Sequence, residues 1–210
     1  TPISLTILAE AGLFTGAAFL MGRIGEAELA GHTIALQVAA LAFQIPFGVA
    51  QAATIRVGLA YGARDHRGIA YAGQASLVLG IGFMAFTALL MWLFPTLVLS
   101  IYVDVDAARN AALVGFAMQF LVVAAAFQLF DGAQAVAAGV LRGLQDTRVP
   151  MIIAICGYWI AGYGTAIYLG FWTPLAGVGV WIGLAVGLIV VSAVLLARWR
   201  MRARLGLLPL

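Results

Sequence analysis

The sequence predicts an all-α membrane protein in which six helices cross the bilayer. Of the 210 residues, 64% are hydrophobic and only 9% are charged, and the mean hydropathy is +1.08. Ordinary soluble domains are about 45 to 50% apolar and about 25% charged, so this chain has more apolar residues than a water-surrounded core can bury. Its apolar stretches continue over about 20 residues without alternating in polarity, which favours helices over a β-barrel.

Polar residues, glycine and proline divide the chain into apolar runs that are each long enough to cross the bilayer as a helix. We expect one six-helix unit over residues 1–210, with helices at about 1–22, 33–55, 71–94, 111–141, 150–171 and 174–197. The first run lacks an initiator methionine, a basic start and a small-residue cleavage site, so it does not read as a signal peptide. We therefore expect the chain to begin partway through a longer protein.

The positions of arginine predict which side of the membrane each loop occupies. All 11 basic residues are arginines, and only Arg23 and Arg109 lie outside the loops after the second and fourth helices and the C-terminal tail. Cytoplasmic loops carry the excess of basic residues, so we expect both ends of the chain to be cytoplasmic. The arginine-rich tail, residues 198–204, is interpreted as an anchor on lipid headgroups.

Composition and motifs argue against an enzyme or a nucleic-acid-binding protein. Cys156 is the only cysteine and lies in an apolar run, so no intrachain disulfide is possible and a thiolate site is not expected. The sequence contains no HExxH, GxSxG, CxxC or phosphate-cradling Gly-Lys motif. The net charge of +3 comes from arginines that flank the helices. We expect no cofactor and no nucleic-acid partner.

Two carboxylates lie inside the predicted helices. Glu10 is 13 residues from Arg23, and Asp131 is 11 residues from Arg142, which places the acids about 20 and 16 Å from charged helix ends. A carboxylate near the bilayer centre costs about 2.5 to 3.5 kcal/mol on insertion, so such residues usually mark an ion or substrate route. The alternative is an acid that is protonated and hydrogen-bonded for structural reasons.

Amide and aromatic side chains accompany the carboxylates as candidate cavity residues. Three glutamines recur every seven residues along one face of the second helix: Gln37, Gln44 and Gln51. Two more lie three residues to either side of Asp131, on the same helical face: Gln128 and Gln134. Hydrogen bonding between helices is the alternative role for these amides. Tyr163 is the most central aromatic residue of the fifth helix and is the preferred aromatic candidate.

Two short segments resemble a known family. Residues 139–150 read G-V-L-R-G-L-Q-D-T-R-V-P, and residues 56–58 read R-V-G. They resemble the G-x-L-R-G-x-x-D-T-x-x-P and R-V-G signatures of the multidrug and toxic compound extrusion (MATE) transporters, in their second six-helix half. We interpret the matching residues as structural: Arg56, Gly58, Gly139, Arg142, Gly143, Asp146 and Pro150. Arg142 and Asp146 are four apart and are expected to pair at the helix end.

The resemblance covers the whole chain and implies roles for single residues. In the NorM-like branch of the family, residues that match Glu10 and Asp131 are the cation-coupling carboxylates, and Na⁺ is one of the ions they can hold. Some members have a tyrosine one turn before that aspartate. This chain has Phe127 there, which is a candidate cavity residue without a ligating oxygen.

The resemblance also implies an overall function. It implies an antiporter of the bacterial inner membrane that exports amphipathic, often cationic drugs or toxic compounds in exchange for H⁺ or Na⁺. Its substrate cleft would form between this C-terminal lobe and an N-terminal six-helix lobe, with membrane lipid around both.

Two other functions stay open at this stage. A lipid-linked oligosaccharide flippase of the same superfamily would be expected to place arginine at mid-depth, where this sequence has none. A non-transporting membrane subunit would use the polar residues only to hold a partner helix. The sequence leaves the coupling ion, the substrates, the oligomeric state and the completeness of the chain undetermined.

Overall fold

A computed structural model describes residues 2–209 and shows a bundle of membrane-length helices. The helices are α1 Pro2–Ile24, α2 Glu26–Gly62, α3 His66–Leu93, α4 Pro95–Ser100, α5 Ala111–Gly143, α6 Arg148–Cys156, α7 Gly164–Phe171 and α8 Ala176–Arg200. A π-helical segment, Gly157–Tyr163, joins α6 to α7, so these three pieces form one span. Within residues 2–209, six segments are long and apolar enough to cross a membrane, which confirms the predicted all-α class.

The second helix is longer than its apolar run predicts. It begins seven residues before the expected start at 33 and ends seven residues after the expected end at 55. Its 37 residues extend over about 55 Å, whereas the hydrocarbon core is about 30 Å thick, so the helix is longer than a perpendicular crossing needs. The third span also begins early, at His66, because the Asp65 carboxylate accepts a hydrogen bond from the Gly68 N–H at 2.9 Å and caps the helix.

Helix α5 lies at the centre and packs against α2, α3 and α8. Its contact with α2 depends on glycines of the 139–150 segment. A Cβ at Gly139 would collide with the backbone of Ala50, and one at Gly143 would meet Val57 and the Thr54 carbonyl. The Thr54 hydroxyl donates to the Gly139 carbonyl at 2.9 Å. These glycines therefore set how closely the two helix backbones approach.

Helix α8 packs closely on the fifth span through other small residues. A Cβ at Gly183 would meet the backbone of Ala166, and Gly187 lies against the Cα atom of Gly162 in the π-helical segment. The π-helical segment is therefore held directly against α8.

An aromatic layer fills the centre of the bundle. The ring of Trp181 stacks on Phe120 and Phe127 at centroid distances of 5.9 and 5.4 Å. It meets the ring of His32 edge-on, at a centroid distance of 5.4 Å. All four side chains are buried. Stacked aromatic rings contribute beyond their buried area, so this layer fixes α5 against α8.

The turn after α5 corrects the predicted pairing of Arg142 with Asp146. Gln145 adopts a left-handed backbone conformation, with φ at 65°, and the Asp146 N–H bonds back to the Leu141 carbonyl at 3.0 Å. Asp146 therefore lies outside the helix, where the four-residue spacing no longer brings two side chains together. Its carboxylate pairs instead with the Arg198 Nε at 2.5 Å, which ties this turn to the end of α8.

Candidate functional site

A cavity of about 360 Å³ lies between α1, α2 and α5. Most of its wall is apolar, with Phe14, Phe43, Phe47 and Phe127 as its aromatic members. The polar and charged residues of the wall are Thr6, Glu10, Gln51, Asp131, Gln134 and Arg142. Apolar walls with a few convergent polar groups are typical of small-molecule sites.

Both mid-membrane carboxylates face this cavity and share one hydrogen-bond donor. The Gln134 Nε2 atom donates to Glu10 Oε1 at 3.2 Å and to Asp131 Oδ1 at 3.4 Å. Asp131 and Gln134 are 5% and 3% exposed, and Glu10 is half-buried. The amide thus bridges an acid of α1 and an acid of α5, which are 121 positions apart in the chain. The structure brings the two predicted residues together, and their coupling role stays a prediction.

Tyr158, on the π-helical segment, determines how the bridging amide is oriented. Its hydroxyl donates to Gln134 Oε1 at 2.6 Å, and the side chain is fully buried. Because the amide oxygen accepts this bond, the amide NH₂ group points toward the carboxylates, which can only accept when ionised. Four side chains therefore form one network: Glu10, Asp131, Gln134 and Tyr158.

The preference for Tyr163 as the aromatic site residue is corrected. Tyr163 is half-buried and does not line the cavity; its ring lies against Gly16 of α1 and 5.4 Å from the ring of Trp159. A position near the middle of the span does not show which way a side chain faces. In addition, the i→i+5 hydrogen bonds of the π-helical segment change the directions of its side chains around the helix axis. Tyr158, which is also outside the cavity wall, contacts the site from this span through its hydrogen bond to Gln134.

Gln128 also departs from its predicted position. It is fully buried, but its Nε2 atom donates to Thr87 Oγ1 at 2.9 Å and to the Met84 carbonyl at 3.3 Å, both on α3. Residues 128 and 134 are six apart, which places them about 120° apart around a helix. Only one of them can face a narrow cavity beside Asp131, and that residue is Gln134.

The glutamine stripe of α2 lines the cavity at one end only. Gln51 belongs to the wall, whereas Gln37 and Gln44 do not, and the Gln44 amide donates to the Ala40 carbonyl at 3.4 Å. A seven-residue spacing drifts by about 20° at each step, so Gln37 and Gln44 lie at different angles around the helix from Gln51. Apolar residues of α2 take their place there: Leu36, Ala39, Ala40, Phe43 and Phe47.

Few oxygen atoms are available to a cation in the cavity. Phe127 lines the wall and is 1% exposed. The position one helical turn before Asp131 therefore offers an aromatic ring and no oxygen atom. Among residues 2–209, no three His, Cys, Asp or Glu side chains gather in one place. Glu10 and Asp131 are therefore the acidic ligands that the described part of the chain supplies to this cavity.

The motif residues have separate environments. Arg142 is half-buried, lines the end of the cavity and has no ion-pair partner within residues 2–209. A Cβ at Gly58 would lie 3.8 Å from the Gly143 carbonyl, and Pro150 is buried at the start of the fifth span. Arg56 is exposed and forms no ion pair in the described part of the chain, so its structural role stays a prediction.

The bundle of membrane-length helices and the carboxylate pair in its cavity define the class of a polytopic membrane protein. The model of the MatE family matches residues 2–167. The chain belongs to the MatE family, which confirms the resemblance found in its motifs.

Similar proteins agree with this assignment. Two relatives carry the name "Probable multidrug resistance protein NorM". The protein from Mesorhizobium japonicum is 49% identical to this chain over 98% of its residues, and the protein from Rhizobium meliloti is 51% identical over 95%. The matches cover 44% and 42% of those relatives, so this chain spans less than half their length. A solved outward-facing multidrug resistance MATE family transporter of the MOP superfamily matches 98% of this chain and 45% of its own, with a TM-score of 0.85 at 23% identity.

Proposed function

We propose that the full-length protein exports amphipathic, often cationic compounds in exchange for H⁺ or Na⁺, with Glu10 and Asp131 as its coupling site. The observation that carries the proposal is the pair of membrane-buried carboxylates that share the Gln134 amide in an apolar cavity. The MatE family comprises secondary transporters rather than enzymes, and the relatives are named for multidrug resistance.

The chemistry of exchange follows from competition for one negative site. A proton or Na⁺ that binds the pair neutralises one of its two negative charges, so a cationic compound in the cavity is attracted less strongly. Ion binding from one side and compound binding from the other therefore compete. The aromatic wall formed by Phe14, Phe43, Phe47 and Phe127 suits the apolar part of such a compound, since aromatic faces also attract cations.

The proposal includes the setting of this lobe. We place it in the bacterial inner membrane beside an N-terminal six-helix lobe of the same protein, with the compound bound between the two. We place residues 56–67 and the C-terminal tail in the cytoplasm. In a Cys156→Ala background, a membrane-impermeant thiol reagent should label Ala107→Cys and miss Ala63→Cys in intact cells. The reverse pattern would overturn this orientation.

Transport by reconstituted vesicles tests the coupling site. Glu10→Gln and Asp131→Asn should each abolish most efflux driven by an imposed H⁺ or Na⁺ gradient, because each variant removes one of two charges around the shared amide. Glu26→Gln is the matched control, since Glu26 is an exposed acid in the first turn of α2. Full gradient-driven efflux by both site variants would overturn the assignment of the coupling site, whereas a parent protein without gradient-driven efflux would have a non-transporting role.

A further inference from the structure

We infer that the groove between α6 and α8 is a binding site for one anionic phospholipid. The groove has a volume of about 460 Å³ and is separate from the carboxylate cavity. Its wall includes Val149, Ile153, Val194, Ala197, Arg198 and Leu205. Water needs polar partners, so an apolar groove that opens toward lipid is filled by hydrocarbon rather than by water. An acyl chain is the occupant that matches this lining.

The groove extends from the helix ends into the bilayer. Ile153 lies five residues inside the start of α6 and Ala193 lies seven residues before the end of α8, or about 8 and 11 Å along the helices. Leu205 and Met201 extend the same wall past the end of α8. A lipid tail in the groove would therefore place its headgroup level with the arginine-rich tail.

One arginine lines this groove, and three more lie next to its wall residues in the chain. Arg198 belongs to the wall, and three exposed arginines adjoin wall residues in the chain: Arg148 beside Val149, Arg200 beside Met201, and Arg204 beside Leu205. Arg198 uses its Nε–H for Asp146, which leaves its four Nη–H donors without a hydrogen-bond partner within residues 2–209. A guanidinium edge of this kind matches two oxygens of a phosphate.

The acids that could neutralise this surface are already engaged. On the side of the chain that carries the arginine-rich loops, Asp146 pairs with Arg198 and Asp65 caps α3. Four other acids lie toward the opposite helix ends: Glu26 and Glu28 in the first turn of α2, and Asp104 and Asp106 in the segment before α5. The excess positive charge at the groove is therefore matched by an anionic headgroup rather than by the zwitterionic headgroup of phosphatidylcholine.

Native mass spectrometry of the delipidated full-length protein tests this site. Titration with phosphatidylglycerol should fill one saturable site at least tenfold more tightly than phosphatidylcholine with the same acyl chains. Arg200→Gln with Arg204→Gln should weaken this lipid by about fivefold for each arginine removed. The matched pair Arg64→Gln and Arg67→Gln removes equal charge from the exposed loop before α3 and should leave the affinity within twofold.

A charge-neutral variant separates the groove from the surface charge. Ala193→Trp should fill the groove and abolish retention of the lipid, whereas Val78→Trp, on an exposed part of α3 outside the groove, should not. Equal affinity for the two lipids would overturn the proposal. So would equal weakening by both arginine pairs, retention of lipid by Ala193→Trp, or displacement of the lipid by soluble glycerol phosphate, which would show a headgroup site without a tail groove.

Discussion

The hydrogen bond from Tyr158 to Gln134 provides a direct test of the site network. Tyr158→Phe removes one hydroxyl and keeps the ring that fills the core. The Gln134 oxygen then loses its donor in a place where both residues are nearly inaccessible to water, with exposures of 0% and 3%. A buried polar atom left without a partner costs about 1 to 3 kcal/mol. We expect the free energy of unfolding to fall by that amount.

The assay is an SDS titration of the purified protein in bicelles, followed by tryptophan fluorescence. Tyr163→Phe is the matched control, because the Tyr163 hydroxyl makes no hydrogen bond in the described residues and its removal should change stability by less than about 0.5 kcal/mol. Tyr158→Phe should also slow gradient-driven efflux about tenfold, as removal of groups that orient ion ligands commonly does.

A double-mutant cycle tests whether Gln134 is the partner of the Tyr158 hydroxyl. In a Gln134→Leu background the oxygen is absent, so Tyr158→Phe should cost far less than it does in the parent protein. The reasoning fails if the cost of Tyr158→Phe is the same in both backgrounds, or if Tyr158→Phe and Tyr163→Phe are equally mild.

Two further predictions concern the packing that supports the site. Asp146→Asn should lower the free energy of unfolding by about 1 to 3 kcal/mol in the same titration, because it weakens a charge-assisted hydrogen bond to Arg198. A change below about 0.5 kcal/mol would contradict the contact between this turn and α8. Gly139→Ala should lower the yield of folded protein because its Cβ would collide with the Ala50 backbone. The control is Gly82→Ala, which has open space around it and should keep or raise the yield. Equal yields of the two variants would refute the close contact of α2 with α5.

Composition and charge predict most of this fold because the bilayer restricts the alternatives. Six apolar runs of membrane length are sufficient to predict six spanning helices. Helix ends are less predictable, since polar residues outside the bilayer can extend a helix, as in α2. The depth of Glu10 and Asp131 can be counted from the flanking arginines, so both acids could be found from sequence.

The partners of these acids could not be found in the same way. Helical spacing places Gln128 and Gln134 equally close to Asp131, and only the arrangement of α1 and α3 decides which one meets the carboxylates. Tyr158 meets Gln134 because the fifth span contains a π-helical segment, which hydropathy does not report. The Asp146 to Arg198 pair joins residues 52 positions apart and depends on a left-handed Gln145. Each of these features depends on the folded structure rather than on spacing in the sequence.

The shared amide leads to a last prediction, that Glu10 and Asp131 act as one unit. One Gln134 nitrogen donates to both acids, so a change in the charge of either acid alters the environment of the other. Gradient-driven efflux should be measured for Glu10→Gln, Asp131→Asn and the double variant in vesicles of one lipid composition. Residues that act together give strongly non-additive losses, so the double variant should be barely slower than either single variant. If the two losses instead multiply in the double variant, each acid acts alone and the bridging amide has no part in coupling.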